Sequence, residues 1–226
     1  MNPALRHSAA HVFVASVDDP ALHPDDAHHL LRVLRLRDGE SVSVSDGRGA
    51  WRLTTLSSGA LLPVGVADHS AVAAERPRRV VISAIPKGDR VEWMVQKLTE
   101  LGVDEIVLLH AERSVVRWDA ARARKQLPRL ERIVREAAMQ SRRVWLPVVR
   151  GPIDFSEAAA VPGATLAEPD APRLSQQSCV VIGPEGGFST AETEQGLPAV
   201  SVADTVLRVE TAAVAVASIW AFVHDV

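Results

Sequence analysis

Cys179-Val180-Val181-Ile182-Gly183-Pro184-Glu185-Gly186-Gly187-Phe188-Ser189 is an apolar run of strand length that breaks into a glycine-rich turn. Four apolar residues in a row suit a strand buried on both faces, and Ser189 or Thr190 is placed to cap a helix that follows. Glycines directly after a strand let the main chain approach a ligand, because no Cβ intervenes. Glu185 in the middle of the turn would repel a phosphate. The turn therefore predicts a site for a neutral or cationic ligand, not for a nucleoside triphosphate.

Working outward, strands and helices alternate from Arg78 to the end. Strands are expected at Val80–Ile85, Val103–Leu109, Val144–Val149, Ala164–Ala167, Cys179–Ile182 and Ala199–Val202. Between them, Asp89 and Glu92 have capping-box spacing ahead of the stripe Val91, Met94, Val95, Leu98 and Leu101, closed by Gly102. A long helix is expected from Trp118 to Arg142, split or restarted at Pro128. A short helix near Ala191–Gln195 and a last one at Thr211–His224, capped by Thr211, complete the pattern. Such alternation predicts an α/β fold on a parallel sheet covered on both faces.

The first part of the chain reads differently. A helix is expected over Asp25–Arg37 with Leu30, Leu31 and Leu34 on one face. Ser41–Ser45 alternates between two turn signals, Asp38-Gly39 and Asp46-Gly47, and Trp51–Leu56 and Leu61–Val66 continue as strands. This predicts a small meander or barrel over 1–70, a linker over 71–77 and an α/β domain over 78–226.

Charge is unevenly spread. The chain of 226 residues has net charge −3, yet residues 113–150 hold 11 basic and 3 acidic side chains, a local +8. Either a polyanion-binding surface or an arginine-rich solvated helix accounts for that. The eight histidines show no metal-ligand spacing, and the single cysteine, Cys179, reads as a small core residue. Thr211–Val223 is shorter than the ~18 residues of a membrane span. No signal-peptide pattern opens the sequence, so a soluble, cytoplasmic protein is expected.

Three segments near predicted strand ends carry the chemistry, where open α/β sheets bind ligands. They are Leu166-Ala167-Glu168-Pro169, the 183–188 turn, and Val206-Leu207-Arg208-Val209-Glu210-Thr211-Ala212. Arg208 with Glu210 reads either as reaction machinery or as an ion pair that steadies a loop.

Together with His29 and Arg32-Val33-Leu34-Arg35, Gln96-Lys97-Leu98-Thr99-Glu100-Leu101-Gly102-Val103, Glu112-Arg113-Ser114, Glu136-Ala137 and Gln140-Ser141-Arg142, these segments resemble the RsmE family of ribosomal RNA uridine-N3 methyltransferases, in the SPOUT superfamily. The resemblance covers nearly the whole chain. It implies an N-terminal PUA-like β-barrel that binds RNA, and a SPOUT-type α/β domain with a deep trefoil knot. It also implies a homodimer acting on 16S rRNA near its 3′ end, in the assembled small ribosomal subunit. The cofactor would be S-adenosylmethionine, held by Leu166, Ala167, Glu168, Ile182, Gly183, Pro184, Gly187, Val202, Ala203, Val206, Leu207, Arg208, Thr211 and Ala212. Arg208 and Arg142 would stabilise charge on the uracil oxygens as N3 loses its proton, with Glu210 orienting Arg208 or relaying that proton. Arg32, Arg35, Arg113, Arg117, Arg132, Arg142 and Arg143 would line an RNA-facing groove. The chain departs from the family pattern at Val202, Ala203 and Thr205, where Ala203 adds a Cβ. It departs again near the start, where the family's early arginine is either replaced by His11 before Phe13 or displaced to Arg6. Activity on another RNA base or ribose, and RNA binding without catalysis, are the rival readings.

Overall fold

The computed structural model describes residues 2–69 and 77–223. The expected linker therefore lies outside the described residues, Pro77 excepted. The chain divides into two units, Met1–Arg76 with Ala138–Leu146, and Pro77–Ala137 with Pro147–Val226.

The first unit carries α1 (Pro3–His7), β1 (Ala10–Phe13), α2 (Pro24–His28), β2 (Ser41–Ser45), β3 (Ala50–Ser57) and β4 (Ala60–His69). β2, β3 and β4 form the expected antiparallel meander, and β1 adds in parallel beside β2. Val12, Leu30, Val42, Val44 and Leu56 are fully buried in its core. The helix expected over 25–37 is shorter and changes pitch. After α2 the chain widens into a π-helical turn over His29–Val33, with Leu34 N–H donating to the His29 carbonyl at 2.9 Å. The wider turn rotates Leu34 off the buried stripe and leaves it exposed. Arg35, in the left-handed region at φ 55°, ends the element.

The strand expected over 144–149 is divided between the units. Val144 accepts hydrogen bonds from Ser45 Oγ (2.8 Å) and Gly49 N–H (3.1 Å), and Leu146 N–H donates to Gly47 (2.9 Å). Trp145 lies so close over Gly49 that a Cβ there would come within 2.5 Å of the indole. His11 makes a structural contact. Its Nε2 donates to the Arg143 carbonyl at 2.9 Å, so Nδ1 accepts from Ser43 Oγ at 2.8 Å.

The second unit holds a six-stranded, all-parallel sheet. Its strands are β5 (Val80–Ala84), β6 (Glu105–His110), β7 (Val148–Asp154), β8 (Ala164–Ala167), β9 (Cys179–Ile182) and β10 (Ala199–Val200), in the order β10-β8-β9-β5-β6-β7. Alternate strand residues feed two cores. Val81, Ile106, Leu108, Val180 and Ile182 pack with α3 (Arg90–Glu100), α4 (Ala120–Gln140) and α7 (Val209–Val223). Ile82, Val107, Leu109 and Val181 pack on the other face with Phe155 and Ala158 of the unanticipated α5 (Phe155–Ala159). Cys179 is buried there, and burial, with Glu105 adding repulsion, pushes its thiol up to about 11.

Three helix expectations change. α4 runs unbroken through Pro128. The proline costs about 3 kcal/mol, and burial of Leu130 and Val134 offsets it at about 1.5–3 kcal/mol each. The capping box at Asp89 is absent, because Glu92 is drawn to Arg129 at 2.9 Å. α7 starts at Val209, with Ala212 N–H donating to the Arg208 carbonyl at 2.8 Å, so Thr211 lies inside the helix and caps nothing. Gly102 follows α3 at φ 86°, as expected, and Ser189 caps α6 (Thr190–Thr193) in a reciprocal box with Glu192.

Candidate functional site

β10, β8 and β9 are neighbours and run in parallel, so the segments leaving their carboxyl ends meet at one edge of the sheet. Residues 167–169, 182–185, 187–188, 201–203, 205–207 and 209, with Ala212 of α7, line a cleft there. Its geometry follows from the loop after β9. Gly187 adopts φ 68° and donates its N–H to the Pro184 carbonyl at 2.8 Å, a turn that L side chains disfavour. A Cβ on Gly183 would stand 3.1 Å from the Phe188 ring, which is itself edge-on to Phe155 at 5.3 Å. Opposite this loop, Ser201 Oγ donates to the Ala203 carbonyl at 2.9 Å, and Glu168 N–H ties to the Val200 carbonyl at 2.9 Å.

The wall offers Ile182, Phe188, Leu207, Val209 and Ala212 as apolar surface. Among the described residues, the only ionisable side chains lining it are Glu168 and Glu185. Burial raises the Glu168 carboxyl above its ordinary range. A cleft with two carboxylates, no lining cation and a glycine-bearing rim suits a cationic ligand with a flat apolar part. S-adenosylmethionine, a sulfonium with an adenine ring, fits that description.

Of the residues expected to hold the cofactor, Ala167, Glu168, Ile182, Gly183, Pro184, Gly187, Val202, Ala203, Val206, Leu207 and Ala212 line the cleft. Leu166 is buried behind it, while Arg208 and Thr211 are exposed and lie off the lining. Pro169, Glu185, Phe188, Ser201, Thr205 and Val209 also line it and were not among the expected residues. The strand-end rule, applied to every residue of the three segments, would have included Pro169, Glu185, Phe188 and Val209, whereas Ser201 and Thr205 lie outside those segments.

The expected reaction machinery is divided between the two units. Glu210 is buried, and its partner is Arg90 at 3.0 Å, not Arg208. Glu210 therefore does not orient Arg208. Arg208 has no side-chain partner among the described residues. Arg142 belongs to the first unit, where its guanidinium donates to the carbonyls of Ser8 (2.9 Å), Ala9 (3.4 Å) and Met139 (3.3 Å). Burial lowers its pKa from the ordinary value.

Several arginines expected on RNA are likewise occupied. Arg113 reaches the carbonyls of Gly186 and Phe188, and Arg117 those of Ala111 and Glu112. The main-chain carbonyl of Arg143, not its guanidinium, takes the His11 contact. Arg32, Arg35 and Arg132 are exposed.

Comparison with known proteins gives the chain's relatives. Residues 74–221 match the RNA methyltransferase domain family and residues 22–59 the RNA methyltransferase PUA domain family. The ribosomal RNA small subunit methyltransferase E of Mycobacterium bovis is 33% identical over 211 residues, covering 84% of this chain and 80% of the relative. A crystal structure of a probable rRNA-methyltransferase from Porphyromonas gingivalis superposes with a TM-score of 0.77 at 27% identity, covering 96% of this chain and 98% of that one. The ribosomal RNA small subunit methyltransferase E of Neisseria gonorrhoeae, crystallised with S-adenosyl methionine, superposes at 0.73 and 27% identity, covering 94% and 96%.

Proposed function

Because this chain belongs to the ribosomal RNA small subunit methyltransferase E family, we propose that it uses S-adenosylmethionine to methylate N3 of a uridine near the 3′ end of 16S rRNA, in the assembled small ribosomal subunit. The observation that carries the reading is the cleft at the ends of β8, β9 and β10, with its two carboxylates and no lining cation.

When bound, the cofactor supplies a methyl group already activated on a sulfonium. The chain has then to hold acceptor and donor at near-attack separation and assist loss of the N3 proton. Glu168 offers charge to a cation, the main chain of 183–187 and 202–207 offers polar partners, and Ile182, Leu207 and Ala212 offer an apolar wall. Arg208, with its guanidinium unengaged among the described residues, stabilises negative charge spreading onto the uracil oxygens. Arg32, Arg35 and Arg132 supply phosphate contacts.

The remaining parts of the reading follow from the family. The segment after β10 threads a loop of the second unit as a knot. The protein works in the cytoplasm as a homodimer, which exposed Trp93 (45%) on α3 and Phe222 (80%) on α7 support. Calorimetric titration tests the cleft: S-adenosylmethionine binds with one site per chain and ATP does not. Binding of ATP alone would overturn the reading.

A further inference from the structure

Arg113 stands in the most basic part of the sequence, where a phosphate contact is the natural expectation. Its guanidinium is spent elsewhere. Nη1 lies 3.2 Å from both the Gly186 and the Phe188 carbonyls, two points of the loop that lines the cleft. The Arg113 stem also packs on the loop, since a Cβ on Gly186 would meet Arg113 Cβ at 3.4 Å.

A second tie joins the same two segments in the opposite sense. Glu192 is 5% exposed. One of its oxygens accepts from Ser189 N–H at 2.7 Å, and the other accepts from Glu112 N–H at 2.7 Å. Thus the 112–113 main chain and side chain each reach across, one to a buried carboxylate and one to two carbonyls. The supporting turn is itself closed. Ala111 N–H donates to Ser114 Oγ at 3.0 Å, Ser114 N–H to the Ala111 carbonyl at 3.1 Å, and Arg117 Nη2 to that same carbonyl at 2.8 Å.

We propose that Arg113 and Glu192 are positioning residues for the 183–188 loop, which they hold in its binding geometry before any ligand arrives, and that Arg113 is not a phosphate contact. This rests on the cofactor reading of the cleft. The physical need is clear: a loop with three glycines and one left-handed residue has much backbone freedom to lose on binding. Fixing it in advance removes that cost from the affinity. Both bonds are charge-assisted and come from one terminal nitrogen, so lysine, which keeps the charge, reproduces part of the contact.

The test uses the full chain as Arg113→Ala, Arg113→Lys and Glu192→Gln. Hydrogen exchange of the ligand-free proteins is expected to speed up at Gly186, Gly187 and Ser189 in all three. The Kd for S-adenosylmethionine is expected to rise about tenfold in Arg113→Ala and less in Arg113→Lys. The slope of RNA affinity against salt is expected to stay at the wild-type value. Unchanged exchange in the loop overturns the proposal, as does an unchanged Kd accompanied by a salt slope reduced by about one, the mark of a lost phosphate contact. If wild type binds no S-adenosylmethionine while exchange still quickens, the positioning role stands and the cofactor reading falls.

Discussion

Arg90 Nη1 and Glu210 Oε1 meet at 3.0 Å and join the start of α3 to the start of α7. Glu210 is 5% exposed and its second oxygen has no hydrogen-bond partner among the described residues. Val209 and Ala212, on either side of it, belong to the cleft wall. The pair therefore fixes the helix that forms one side of the site, and its removal leaves a buried charge behind. Arg90→Ala is expected to lose about 3 kcal/mol of stability in urea unfolding. Adding Glu210→Gln to that variant is expected to restore part of the loss, because a neutral amide is cheaper to bury. A double variant no more stable than Arg90→Ala would contradict this.

Glu168 gives the cleft a pH dependence. Burial holds its carboxyl above the ordinary 4.5. Between the unfolded and folded values, the unfolded chain has lost its proton while the folded one retains it, so stability falls as pH rises through that window. Cofactor-free Glu168→Gln is expected to melt above wild type at pH 7 and to match it below the ordinary value. A cationic ligand favours the carboxylate, so wild-type affinity for S-adenosylmethionine falls as the group protonates and the Gln variant shows a flat profile. Parallel profiles for the two proteins would remove Glu168 from cation recognition.

Arg208 is exposed beside the cleft, off its lining. Stabilisation of an oxyanion by one donor is worth about 10²–10³ in rate. Arg208→Ala is expected to lower single-turnover methylation by about that factor while leaving the Kd for S-adenosylmethionine within about twofold of wild type. A rate equal to wild type would reassign the residue.

Phosphate contacts by Arg32, Arg35 and Arg132 predict salt-dependent binding to RNA. Each substitution to alanine is expected to flatten the plot of log affinity against log salt by about one contact. A salt-independent wild type would contradict all three assignments.

Much of the site was legible because it depends on uninterrupted buried strands. Ala164–Ala167 and Cys179–Ile182 appear with the bounds their apolar runs suggest. The three loops that follow them converge because the parallel order β10-β8-β9 leaves them nowhere else to go. What escaped sequence reading depends on distant partners. β1 exists through pairing with β2, some 30 residues on, and carries no alternation of its own. Residues 144–146 look like the start of a strand, yet Trp145 is claimed by the bare surface of Gly49. The charge of Arg113 predicts a polyanion, and only its reach to Gly186 and Phe188 reveals a different use. Spacing places Glu210 beside Arg208, whereas the fold turns it to Arg90.

The most direct test is transfer of a labelled methyl group from S-adenosylmethionine to small ribosomal subunits that lack the modification, followed by digestion of the 16S rRNA to nucleosides. The account predicts label in 3-methyluridine from a single site near the 3′ end. Label in a ribose or in another base, or none with active cofactor binding, would contradict it.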